Sequence, residues 1–399
     1  MKQKSNVLIG FIILNIFTGI CSGIIALVLP LFASSIGASV VQVGIIKGIS
    51  GIGALIMVLP SGMLVDNYGT SRLYIVGTII STITTLSLAF FGHPEVIVFA
   101  MLIQGFSNSL RFTSLNAAFF GRLKEIGISK SGWYRGSLSI GLTFIGPLLG
   151  GYFVQYLEFK TIFCIAAILT LIPSIFMIML EVGKKVSTQK IQVEKEKFHL
   201  VEQLIEFFKL FENKQLRNTV IIEGTSTACF STFATFIVIY MVNILGEGAQ
   251  NASHYFILEG TAYILSVFLL GGLLLKFQKR ILYFASIFTM SIGLLLIGAT
   301  VQNRIIVVGI LLLGAGTGLL NILTFSNLGT IEGKKGKISS ALSACTSIGA
   351  SFGPMFGGIV GEIFGYNAIF LCYIPILLIV VALTQHVDKS SIREILVKE

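Results

Sequence analysis

Lys47, Arg111, Glu223 and Glu259 stand inside otherwise apolar runs, and Glu362 stands near the end of another. An ionisable side chain within hydrocarbon is costly, so each is a functional candidate by default. The two cations could grip an anionic group, and the acids could pick up and release a proton. Gln104, Asn108 and Arg111 are spaced i, i+4 and i+7, which places them on one face of a helix. Asn15, Tyr240, Asn243 and Asn321 add uncharged hydrogen-bonding groups in three further apolar runs. These seven polar residues, with Glu223 and Glu259, are the intramembrane groups available to bind a solute or carry a proton. Hydrolytic or metal chemistry finds no such support. None of the four His (His93, His199, His254, His386) forms His-Glu-x-x-His. The five Cys (Cys21, Cys164, Cys229, Cys345, Cys372) lack ligand spacing and read as buried spectators. No metal or cofactor is expected.

The elements holding these residues must live in lipid. Of the 399 residues 54% are hydrophobic and 12% charged, against about 25% charged in a soluble protein. Mean hydropathy is +0.91. Twelve runs are long enough to cross a bilayer. They cover 7–32, 40–64, 73–91, 96–119, 133–156 and 161–180, then 219–245, 254–275, 281–301, 305–329, 339–364 and 368–385. A β-barrel would show alternation rather than solid apolar blocks.

The net charge of +10 suggests a polyanion until its placement is examined. With the amino terminus inside, only Lys160 and Arg304 of the 28 basic residues fall on the outer face, and only Lys47 and Arg111 lie deep within segments. The rest lie on one side, which is an orientation signal. Both termini are thus expected in the cytoplasm of a bacterial cell, with the chain in the plasma membrane, and nucleic acid is not an expected partner.

The large break in hydrophobicity separates six segments from six. It divides the chain into a bundle (1–181), a cytoplasmic linker (182–217) and a second bundle with a short tail (218–399). Phe198, Val201, Ile205, Phe208 and Phe211 in the linker fall on one helical face, which suggests an amphipathic helix on the inner membrane surface. The two halves share a phrase. Gly141-Leu-Thr-Phe-Ile-Gly146-Pro147-Leu-Leu-Gly150-Gly151 corresponds to Gly349-Ala-Ser-Phe-Gly353-Pro354-Met-Phe-Gly357-Gly358. A duplicated hydrophobic chain is the build of a secondary transporter. Pro147 and Pro354 each remove a helix hydrogen bond, and the flanking glycines let another helix approach.

Short motifs carry a resemblance. Gly62-Met-Leu64-Val-Asp66-Asn-Tyr-Gly69-Thr-Ser-Arg72 resembles the loop between helices 2 and 3 of the major facilitator superfamily. Gly62, Leu64, Asp66, Gly69 and Arg72 match, while Asn67, Thr70 and Ser71 replace the usual basic residues. The counterpart from Gly272 to Arg280 is degenerate, with Lys276 in place of the acid. The Gly-Pro phrase resembles the motif of that superfamily's twelve-helix drug:proton antiporters. Gln104-Gly105 is present, but Met101 stands where those relatives carry an arginine.

The resemblance implies an all-α membrane protein, twelve transmembrane helices in two pseudo-symmetric six-helix bundles. It also implies alternating access, with helices 1, 4, 7 and 10 lining a central chamber, and so makes Asn15, Gln104, Asn108, Arg111, Tyr240, Asn243 and Asn321 candidate substrate ligands and Glu223 and Glu259 candidate proton carriers. A structural Arg111 bonded to backbone, and structural ion pairs of either glutamate with Lys47 or Arg111, remain the alternatives. Gly62, Asp66, Gly69, Arg72, Gly146, Pro147, Gly150, Gly353, Pro354 and Gly357 become gating candidates, together with an outer pair Lys47–Glu362. The expected activity is proton-coupled export of a small organic solute, carboxylate-bearing or zwitterionic, by a monomer in membrane lipid. Proton-coupled import and uncoupled facilitation remain alternatives. A nucleotide-driven pump is disfavoured, because no Gly-x-x-x-x-Gly-Lys-Ser/Thr loop occurs.

Overall fold

A computed structural model describes residues 2–122, 131–182, 209–270, 277–331 and 335–385. Among the described residues there are twelve helical spans and no strand. The first half holds α1 (Lys2–Ser35), α2 (Val40–Tyr68), α3 (Thr70–Ser87) and α4 (Pro94–Phe120). In α5, Ser131–Ser139 passes through a π-helical turn, Ile140–Ile145, into Gly146–Tyr156, and α6 is Phe159–Val182. The second half holds α7 (Lys214–Asn243), α8 (Ala249–Leu269), α9 (Lys279–Gly298), α10 (Asn303–Thr330) and α11 (Lys335–Phe364). The last span, α12, comprises Tyr366–Leu371 and Tyr373–Thr384. Ten of the twelve are long and apolar enough to cross a membrane by themselves. The other two, α3 and α11, are richer in Ser, Thr and Gly.

Local chemistry sets the boundaries. Ser39 and Gln42 form a reciprocal capping box at the start of α2. Asn213 caps α7 by accepting from the Leu216 N–H at 3.0 Å, so this helix begins before the apolar run does. Gly69, at φ 88°, ends α2 and turns the chain straight into α3. Of the expected linker helix, residues 198–208 lie outside the described residues. The short 3₁₀ turn Leu210–Glu212 is seen, with Phe211 packed against the apolar cluster that includes Leu216 and Val220.

One apolar core runs through both halves, including Leu27, Phe163, Phe236, Met290, Ile310 and Phe370. Around it the outward surface is also apolar. Ile83, Phe99, Ile168 and Phe288 are all exposed, a surface suited to lipid rather than water.

The duplicated glycine phrases hold equivalent positions. In the first half Gly141 and Gly146 of α5 lie against Gly19 and Gly23 of α1. In the second half Gly349, Gly353 and Gly357 of α11 lie against Gly224, Ala228 and Thr232 of α7. A β-carbon on Gly146 would stand 2.7 Å from the Gly23 Cα, and one on Gly353 2.8 Å from the Ala228 Cα. Neither backbone can withdraw, so both crossings need glycine.

The same two helices also reach across to the opposite half. Gly151 of α5 meets Ser253 of α8, and Thr143 meets Gly260. Symmetrically, Pro354 and Gly358 of α11 meet Gly44 and Val40–Val41 of α2. These junctions lie toward the end of the molecule distant from the chain termini, called here the distal end. Two sets of hydrogen bonds join the halves there. The Glu362 carboxylate accepts from the Val40 and Val41 N–H groups at 2.9 and 3.4 Å. The Asn243 amide donates to the Ser34 hydroxyl at 3.2 Å.

Candidate functional site

The second half carries a polar file along α10. Thr317, Asn321 and Thr324 follow one another at i, i+4 and i+7 and so share one face. Glu223 of α7 meets this face: its Oε1 accepts from the Asn321 amide at 3.0 Å and its Oε2 from the Thr324 hydroxyl at 2.7 Å. Glu259 of α8 meets it one turn away, with Oε1 3.3 Å from the Thr317 hydroxyl, which also reaches the Leu313 and Gly314 carbonyls. Both glutamates are buried. Among the described residues neither is paired with a cation, and each is held by neutral side chains alone. The file continues toward the termini through Asn327, which donates to the Tyr283 hydroxyl and accepts from Lys279, both at 2.8 Å.

The first half contributes a lone cation. Lys47 of α2 is half-buried, and its ammonium has no hydrogen-bond or ion-pair partner among the described residues. Gly44, Gly48 and Gly51 define the face of α2 that touches α11, and Ile56, 56% exposed, defines the lipid face. Lys47 precedes Ile56 by nine residues, half a revolution at about 100° per residue. Its stem therefore points away from lipid, toward the space between the halves.

Several expected ligands point elsewhere. Arg111 turns onto α3 rather than into that space. It is 3% exposed, donates from Nη1 to the Ser81 hydroxyl at 3.3 Å, and sits over the Tyr74 ring at 5.8 Å. Gln104 follows it, bonding to Ser81 at 2.8 Å and accepting from Thr84. The spacing correctly put both on one face, but that face packs on a neighbouring helix. Asn108, on the same helix, is half-buried without a partner among the described residues. Asn15 is buried and donates to the Tyr134 carbonyl at 2.7 Å, tying α1 to α5. Tyr240 is fully buried against Phe370, with its hydroxyl 3.4 Å from the Thr300 carbonyl. Asn243 joins the halves at the distal end instead of facing a chamber.

The expected Lys47–Glu362 pair is not formed. Glu362 lies on the helix facing α2, but its carboxylate reaches the first backbone N–H groups of α2 instead. A helix amino end offers unpaired donors and partial positive charge, which suits an anion. In the loop after α2, Gly69 makes the turn and Arg72 is exposed, while Gly62 has open space around it. The Asp66 side chain lies outside the described atoms, as do Gly272 and Lys276. Gly150 of α5 packs on Ile24 and Leu27. Thr317, Thr324 and Tyr283 were not singled out from sequence. Threonines one helical turn to either side of Asn321 were the available signal. Threonine is common enough in membrane helices to hide it.

Comparison with known proteins agrees with this architecture. The family model described as Major Facilitator Superfamily matches residues 11–328 and 219–394. The Staphylopine export protein of Staphylococcus aureus is 21% identical over 93% of each chain. The multi-drug resistance efflux pump PmrA of Streptococcus pneumoniae is 29% identical over 39% of this chain, and the matched stretch spans 42% of that pump. Among solved structures, the nucleoside transporter NupG superposes with a TM-score of 0.77 at 16% identity, covering 95% of this chain and 98% of NupG. A bacterial homologue of the lysosomal transporter Spinster, inward-facing and occupied, gives 0.75 at 12% identity, covering 95% and 96%. At such identities these structures bear on the fold alone. The glycine-built crossings, the duplicated halves and the family match together establish that the chain is a membrane transporter belonging to the Major Facilitator Superfamily.

Proposed function

We propose that the protein exports a small organic solute in exchange for protons, by alternating access of a chamber between its halves. The observation that carries the proton coupling is the pair of buried carboxylates, Glu223 and Glu259, on one face of α10 with only neutral partners. Intramembrane carboxylates of this kind are the groups that form proton relays in pumps and transporters. Asn321 is half-buried at this file and offers a link between the carboxylate of Glu223 and the chamber.

Lys47 supports a substrate that bears a carboxylate. It is a free ammonium directed between the halves, and no described acid answers it. With Arg111 turned away, Lys47 represents the positive side of the chamber, and Asn108 and Asn321 offer neutral hydrogen bonds. A zwitterion fits best, its carboxylate toward Lys47 and its amine toward the second half. Export is the direction that two relatives with efflux or export in their names favour. The Gly-Pro phrases supply the smooth crossings about which the halves would rock. The joined distal ends then represent the state closed to the outside, with both termini in the cytoplasm, and the functional unit is a monomer.

The test is uptake into everted membrane vesicles of a panel of carboxylated, zwitterionic and cationic compounds. Uphill accumulation of a carboxylated member, abolished when the pH gradient is collapsed, is the expected result. Accumulation indifferent to the gradient removes the proton coupling. Lys47→Ala should weaken carboxylated substrates and leave cationic ones unchanged; equal loss for both removes the assigned role of Lys47.

A further inference from the structure

The first bundle encloses a cation that transport, as described above, does not use. Arg111, a guanidinium cation, is 3% exposed. Its Nη1 donates to Ser81, while Nε and Nη2 are buried with no partner among the described residues. Those two nitrogens form one edge of the guanidinium, two nearly parallel N–H donors in the arrangement that grips an anion.

Among the described residues no acid is placed to answer them. Neither α1 nor α3 contains an Asp or Glu. The acid of α4, Glu95, is sixteen residues away in the first turn, about 24 Å along the helix. The acid of α6, Glu181, lies in its last turn. What surrounds the guanidinium is a set of neutral donors. Tyr74 lies beneath it, its hydroxyl 3.1 Å from that of Thr18. α6 packs on both α1 and α3 and brings its buried Thr170 to this interior. One turn from Thr170 is Ser174, whose hydroxyl is also buried without a partner, as is that of Ser114, three residues from Arg111.

We propose that the interior of the first bundle, between α1, α3, α4 and α6, is a binding site for a small inorganic anion of the halide class. The Nε/Nη2 edge of Arg111 is the principal ligand, and the Ser174 hydroxyl is the second donor. The burial of Arg111 excludes an organic carboxylate arriving from the chamber, because the guanidinium presents almost no surface there. The anion is a fixed counter-charge that lets α3 and α4 close on an arginine. It is distinct from the transported solute.

The test is equilibrium binding of radioactive chloride to the purified full-length protein in detergent, at constant ionic strength set with gluconate. Saturable binding near one chloride per chain is expected, with bromide competing and gluconate not. Arg111→Gln should abolish it, Ser174→Ala should weaken it several-fold, and Lys47→Ala should leave it intact. Chloride should also raise the midpoint of thermal unfolding relative to gluconate in the unaltered protein, by linkage, and not in Arg111→Gln. If Arg111→Gln fails to fold, Ser174→Ala and the thermal shift of the unaltered chain still decide. Absence of saturable chloride binding to the unaltered protein overturns the proposal. So does binding that Lys47→Ala removes, because the anion would then sit in the chamber.

Discussion

Gly44→Ala should shift the protein toward the conformation with its distal end open. In the closed arrangement a β-carbon on Gly44 of α2 would stand 3.1 Å from the Pro354 carbonyl carbon and 3.2 Å from the Gly358 Cα, with the Pro354 oxygen nearer still. All three are backbone atoms of α11, so no rotamer change relieves the contact. Overpacking of this kind costs about 1–3 kcal/mol. Alanine also favours helix over glycine by about 1 kcal/mol, but that gain is the same in both conformations and cancels from their ratio. At about 1.4 kcal/mol per factor of ten, the open-to-closed ratio should rise by roughly 5- to 150-fold. Spin labels at Ser35→Cys and Asn251→Cys, two exposed distal positions in opposite halves, would report the change as a longer-distance population. The native cysteines would be replaced by serine in that background. Gly293→Ala is the control, because its β-carbon would stand 2.6 Å from the Gly309 carbonyl oxygen, wholly within the second half. It should lower stability without opening the distal end. An unchanged distance distribution in folded Gly44→Ala, or an equal shift in Gly293→Ala, would refute the reasoning.

Glu362→Gln removes the charge but keeps a shape that can accept from Val40 and Val41. Its effect on the same distance measurement should be smaller, about 0.3–1 kcal/mol, and should shrink further in high salt because the site is exposed. Glu223→Gln and Glu259→Gln mimic permanently protonated carboxyls, so at least one should abolish uphill transport in vesicles while retaining substrate binding. If both transport against the gradient at the normal rate, neither carries the proton. Asn15→Ala should lower thermal stability by about 1–3 kcal/mol through the lost bond to the Tyr134 carbonyl, with little change in substrate affinity. A large, selective affinity loss would instead return Asn15 to the chamber.

The amino-acid sequence by itself determined the class of solvent, the number of spans and the duplication. Each follows from local quantities: the length of an apolar run, the placement of charge, the recurrence of a glycine phrase. It also determined which polar residues share a helix face, and Gln104 with Arg111 do share one. Which neighbour that face meets was decided only by tertiary packing. Periodicity gives an angle around one helix axis and says nothing of what stands at that angle. Arg111 was therefore expected against substrate and is found against Tyr74 and Ser81 of α3. Glu362 was expected beside Lys47 of α2, yet it bonds to backbone N–H groups of that helix that no residue identity announces. The union of Glu223 with Asn321 and Thr324 spans about a hundred residues, and only the closing of the second bundle brings them together.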